Sequence, residues 1–225
     1  MDINISKCET IHFGKNNPQT IYSINHVPVP RGDKFRDLGL IVDNDLSFRF
    51  HTDHITHKSY KLLGLCIHVF HSKRPELYLV FYKTFVIPIL DHCDIFYVFA
   101  LKSSLSVVEH IKEKFTKRLF RRLHPHHCPP PYDLRLREFN LTTLFSRFKY
   151  SDLITLFKVH YGFIDSPSFK VRFSTLRRHR ILIPSIRTAL YKNSFLHRSL
   201  KLWNDRLKSL PRSLSELKSQ IHLIL

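Results

Sequence analysis

The chain has 225 residues, 43% of them hydrophobic, with five glycines, nineteen phenylalanines and one tryptophan. That is enough apolar material for a buried core and excludes collagenous, linker-like and disordered classes. Thirty-six Lys and Arg against eighteen Asp and Glu give a formal net charge of +18, the mark of a surface that meets a polyanion. Residues 1–50 carry six charges of each sign, residues 51–125 twelve positive and six negative, and residues 126–225 eighteen and six, so the positive excess grows along the chain. Cys8, Cys66, Cys93 and Cys128 are widely spaced, with no C-x-x-C pair and no secretory leader ahead of them, which predicts a reducing, intracellular setting. The most apolar run, FVIPILDHCDIFYVFAL, is interrupted by Asp91, His92 and Asp94 and predicts no membrane span.

The first fifty residues alternate extended segments with turn signals. ETIHFG precedes Asn16-Asn17-Pro18, TIYSINHVPVP precedes Arg31-Gly32-Asp33, and FRDLGLIVD precedes Asn44-Asp45. Each extended segment reads as a strand, and together they predict a small antiparallel sheet or meander that needs a helix against one face. From Thr52 the period becomes helical, with Ile55, Ser59, Leu62, Cys66 and Val69 on one face and Thr52 or Asp53 available as N-cap. A second helix is predicted from Pro75 through Leu77, Phe81 and Phe85, bending or stopping at Pro88. A third places Leu105, Val108, Ile111, Phe115 and Leu119 on its packing face, and Lys112, Lys114, Lys117, Arg118 and Arg121 on a face that can meet phosphate. HPHHCPPP, residues 124–131, predicts an extended boundary, because consecutive prolines cannot continue a helix. Further helices are predicted beyond it, ending with Ser213 three residues before Glu216 in a capping-box pattern. The expected fold class is α+β, mainly α: a small N-terminal antiparallel β-meander, then helices.

Asp43 and Asp45 stand two apart and could share a divalent cation, but Asp-Asn-Asp after a Val/Ile strand is more simply a turn whose side chains bond local amides. His124, His126, His127 and Cys128 offer metal-binding side chains, yet no second ligand pair accompanies them, so a solvated linker is expected. No G-x-S-x-G and no Walker loop occurs, which removes most support for hydrolase and nucleotide-binding readings. The segment 170–212 carries twelve Lys and Arg against Asp205 alone. Its arginines, including Arg177, Arg178, Arg180 and Arg187, suit phosphate, whereas Phe173, Tyr191, Phe195 and Trp203 sit among Leu and Ile as core candidates.

Several stretches, in order, resemble the carboxy-terminal part of the reverse transcriptase of non-LTR retrotransposons, particularly the jockey and chicken-repeat types. SKCETIHFGKNNP resembles the segment after the polymerase active site, and INHVPVPRGDKFRDLGLIVDNDLSFRFHTDHI the next palm motif. YKTFVIPILDHC and IKEKFTKRLF resemble the thumb; RLREFNLTTLFSRFKYSDLITLFKVHYG and RTALYKNSFLHRSLKLWNDRLKSLP resemble the tail. The resemblance spans nearly the whole chain. It implies a palm-end remnant over 1–50, a helical thumb over 51–124 and a basic helical domain over 125–225. Asp37, Leu38 and Gly39 would position the primer end. Lys112, Lys114, Lys117, Arg118, Arg121, Arg177, Arg178, Arg180 and Arg187 would hold the backbone of an RNA or DNA template–primer. The family's metal-binding Tyr/Phe-x-Asp-Asp turn has no counterpart, since no Asp-Asp pair occurs. Two-metal phosphoryl transfer needs those carboxylates, so the resemblance implies a polymerase fragment with no catalytic residue, no metal site and no cofactor in this chain, Mg belonging to the intact parent. No membrane and no small-molecule substrate is expected. A domesticated or degenerate protein–protein interaction module without nucleic-acid function is the alternative, and the unpaired strand edges of residues 8–42 predict aggregation of the isolated chain.

Overall fold

The computed structural model describes residues 3–14, 16–97, 102–166, 180–185, 188–207 and 209–222. Among the described residues the chain is mainly helical, with small antiparallel sheets in its N-terminal part. These sheets are two separate hairpins. Strands β1 (Ser23–Ile24) and β2 (Val27–Pro28) reverse about Asn25 and His26, at φ 50° and 64°. Strands β3 (Lys34–Asp37) and β4 (Leu40–Asp43) reverse about Leu38 and Gly39, at φ 44° and 96°. Positive φ at both central residues gives a two-residue turn whose twist matches the flanking strands. TIYSINHVPVP and FRDLGLIVD are therefore not single extended runs, because each turns back at its middle.

Helix α1 (Arg49–Val69) is capped at Phe48, four residues before Thr52 and five before Asp53; Phe48 adopts φ 54° and supplies no side-chain cap. The carboxylate of Asp43 replaces it, accepting from the Phe48 N–H at 3.0 Å and the Ser47 hydroxyl at 2.6 Å. Thr52 lies inside the helix, its hydroxyl donating to the Phe48 carbonyl. The second hairpin rests on this helix through the Ile41 N–H, which donates to His51 Nδ1 at 3.3 Å. Burial, followed by the nearby His54, His92 and Arg36, pushes the His51 imidazole down to about 4, which keeps Nδ1 an acceptor.

Helix α2 (Pro75–Phe81) has its proline in the first turn, where the missing N–H costs nothing. It runs into a π-helical turn (Tyr82–Val86) and then α3 (Ile87–Asp91), so Pro88 does not stop the helix. The widened turn lies directly ahead of the residue that cannot donate, a common way to absorb a break in the hydrogen-bond ladder. A short helix α4 (Asp94–Tyr97) follows. Helix α5 (Lys102–Leu123) buries Val108, Ile111, Phe115 and Leu119 completely, and the Phe115 ring stacks on Tyr82 at 4.4 Å.

Beyond the prolines lie α6 (Tyr132–Glu138) and α7 (Leu144–His160). The proline segment is held down. Arg135, buried on α6, donates to the Pro130 carbonyl at 2.5 Å and to the Thr116 hydroxyl at 3.3 Å, and Tyr132 donates to Glu109. Phe139, Leu144 and Phe148 accordingly join the same apolar cluster as α1, α2 and α5. A second cluster starts at Leu153, Leu156 and Phe157 in the later half of α7. It is completed by Ile181 and by Leu200, Trp203, Leu217 and Ile221 of α9 (Phe195–Arg206) and α10 (Leu214–His222). The two cores thus divide within α7. A five-residue helix α8 (Ala189–Asn193) precedes α9. At the start of α10 the Ser213 hydroxyl accepts the Glu216 N–H, while the Glu216 carboxylate reaches back to the Arg212 N–H, one residue before the usual capping-box position. No helix among the described residues is long and apolar enough to cross a membrane.

Candidate nucleic-acid interface

The exposed side of α5 and the C-terminal half of α1 form the walls of an open groove of about 860 Å³. α1 contributes Gly64, Ile67 and His68, the following segment His71 and Lys73, and α5 Arg118, Arg121 and Arg122. The 3.6-residue period exposes a basic side: with Val108, Ile111, Phe115 and Leu119 turned inward, Lys114, Lys117, Arg118 and Arg121 are exposed on the other side, and of these Arg118 and Arg121 line the groove whereas Lys114 and Lys117 do not. Gly64 leaves the floor of the groove without a side chain, and nothing lies within 4 Å of where a Cβ would stand.

The groove's shape is set by its polar contacts. The Arg122 guanidinium donates to the carbonyls of Ile67 at 2.5 Å and Phe70 at 3.1 Å, joining α5 to the end of α1. Tyr78 of α2 donates to the carbonyls of Phe70 at 2.8 Å and Ser72 at 2.9 Å. These bonds satisfy carbonyls that a helix end leaves open and hold the His71–Lys73 segment against the groove. Arg122 is consequently a structural cation, whereas Arg118, Arg121 and Lys73 are exposed. Lys114 lies over the Tyr60 ring at 4.8 Å, which ties it to α1.

Lys112 departs from the expected phosphate-binding set. Its side chain is buried, 3% exposed, and its ammonium donates to the Thr142 carbonyl at 2.6 Å. One position along α5 decides this, since Lys112 follows Ile111 and shares the buried side with Thr116. Burial pushes its pKa down from 10.5 to about 8. Between those values the unfolded chain holds a proton that the folded chain has lost, so stability rises with pH across that window, by up to about 3 kcal/mol. Lys112→Met is expected to abolish this rise while changing polyanion affinity less than about twofold, as urea unfolding at pH 7.5 and 10 and a parallel binding titration would record.

Arg180 is exposed but lies apart from the groove, beside Ile181, whose backbone N–H and carbonyl pair with the Asn204 side chain at 2.8 Å each. Arg177, Arg178 and Arg187 lie outside the described residues. Asp37, Leu38 and Gly39 occupy the end and turn of the second hairpin, where Leu38 is 91% exposed. His92 donates from Nε2 to the Leu38 carbonyl at 3.0 Å, and a Cβ on Gly39 would stand 2.9 Å from that nitrogen. The tip is therefore fixed against the end of α3 and requires glycine. Asp43 is occupied with the start of α1, and among the described residues no three His, Cys, Asp or Glu side chains gather as a metal site.

No family model, curated protein or solved structure matches the chain.

The groove thus draws on α5 residues legible in the sequence and on others that were not. His68, His71, Lys73 and Arg122 carry no local pattern pointing to a shared site. The available signal was the density of basic residues at the ends of two amphipathic helices.

Proposed function

We propose that the chain binds the phosphate backbone of nucleic acid through the α1–α5 groove, as the backbone-gripping part of a reverse transcriptase of the non-LTR retrotransposon type. The observation that carries this reading is the convergence of Lys73, Arg118 and Arg121 with His68 and His71 around one open groove, on a chain of formal charge +18. Cations arranged along a groove bind phosphates without reading bases, and such contacts fix position and supply sequence-independent affinity. The six stretches resembling that family, in its order, support the assignment to a reverse transcriptase. In this reading the chain is not itself a polymerase, because no carboxylate pair of the Tyr/Phe-x-Asp-Asp kind is present to hold two metal ions.

The test is a titration of a 20-base-pair DNA duplex by fluorescence anisotropy between 50 and 200 mM salt, with an RNA–DNA hybrid in parallel. The expected result is a linear fall of log K with log salt, at about −0.9 per phosphate contacted. Charge reversal in Arg118→Glu/Arg121→Glu is expected to reduce the slope by about 2 and the affinity at least about tenfold. A salt-independent affinity, or one unchanged in the double variant, would sink the proposal.

A further inference from the structure

A second cationic pocket, of about 510 Å³, lies between α7 and the α8–α9 pair, on different elements from the groove. Five cationic side chains line it, against two carboxylates. One of those carboxylates is already committed: Asp152 accepts from Arg198 Nε at 2.8 Å and Nη2 at 2.9 Å, and the same guanidinium also donates to the carbonyls of Asn193 and Ile95. Among the described residues of the lining, Asp205 is the remaining carboxylate beside Lys149, Lys192, Lys201 and Arg206, brought together from three helices. His197 lines the pocket as well. It is 6% exposed and forms part of the buried wall.

We propose that this pocket binds a phosphomonoester group, with Lys149, Lys192 and Lys201 neutralising its charge. A dianion with three outward oxygens suits several cations converging from different directions. The volume admits the group together with a sugar or base, and the half-exposed Phe145 ring, with the Lys149 ammonium 3.7 Å from its centre, forms part of the wall. Burial and the Arg206 charge push the Lys149 pKa down, a penalty that a bound anion would relieve. The phosphoryl group could belong to a free phosphate ester or to the 5′ end of a strand.

The test uses the full chain and the Lys192→Gln/Lys201→Gln variant, both positions being exposed on helices, so that folding is preserved. Inorganic phosphate, compared with chloride at equal ionic strength, is expected to raise Tm by about 3 °C in the parent chain and not in the variant. A 5′-phosphorylated oligonucleotide binding about tenfold tighter than its 5′-hydroxyl counterpart would assign the group to a strand end, and equal binding alongside the phosphate-specific shift would assign it to a free ester. Arg118→Glu/Arg121→Glu should retain the phosphate response even where duplex affinity falls, which separates this site from the groove. The proposal is overturned by a Tm insensitive to phosphate together with equal oligonucleotide affinities. It is equally overturned by a phosphate response that survives in the lysine variant or disappears in the arginine variant.

Discussion

Asp152→Ala is expected to destabilise the fold by about 3–5 kcal/mol, the usual consequence of removing one partner of a buried ion pair and leaving the other charge uncompensated. Asp152 on α7 is 2% exposed, and the Arg198 side chain on α9 is 13% exposed. The pair is bidentate, and Arg198 extends it to the carbonyls of Asn193 and Ile95, so one guanidinium fastens α4, α7 and α9. In Asp152→Ala the guanidinium keeps its two carbonyl partners and loses the carboxylate that neutralises it. Asp152→Asn keeps an acceptor but not the charge and should fall between the two. Exchanging both residues for apolar ones of similar volume should cost much less, because burying the pair is itself expensive. Urea unfolding of the four proteins would record the order. Equal stability of Asp152→Ala and the parent would mean that the pair contributes nothing to holding α9 on α7.

Phe115→Ala is the second large effect, expected at about 3–5 kcal/mol. Phe115 is completely buried and meets Tyr82 ring to ring with the planes 9° apart, so α5 is packed directly onto the π-helical turn. Removing the ring leaves a cavity that can collapse only if α5 moves toward α2. Arg118 lies one turn from Phe115 on the exposed side, and any such shift displaces it from the groove. Duplex affinity should therefore fall even under conditions where the variant is folded. Phe115→Leu, which keeps most of the volume, should cost less than half as much and leave affinity within about threefold. A Phe115→Ala variant that is folded with parental affinity would disconnect the packing of α5 from the groove's geometry.

These two effects rest on features of different legibility. The burial of Val108, Ile111, Phe115 and Leu119 follows from spacing alone: a helix with that repeat has one side to bury, and the side opposite carries Lys114, Lys117, Arg118 and Arg121. Pro75 at the start of α2 and the Ser213–Glu216 interaction at the start of α10 were legible for the same reason, because they depend on chemistry within one turn of helix. Turn chemistry is only partly visible in the sequence. Gly39 announces a reversal, yet Leu38 beside it at positive φ does not, and the hairpin tip is held by His92 from far along the chain.

Lys112 marks the limit of periodicity. It lies one residue from a buried isoleucine, where a small rotation of the helix decides between solvent and core, and the Thr142 carbonyl that receives it comes from another element. The mainly helical class, the inward face of α5 and the excess of positive charge follow from local spacing and composition alone. Contacts between distant elements make Asp43 brace the start of α1, tie the proline segment to α5 through Arg135, and divide the two cores within α7. Such contacts also gather Lys73, Arg118 and Arg121 around one groove and Lys149, Lys192 and Lys201 around one pocket. The reason is physical: each of these depends on partners far apart in the chain, and such partners meet only when packing brings their elements together.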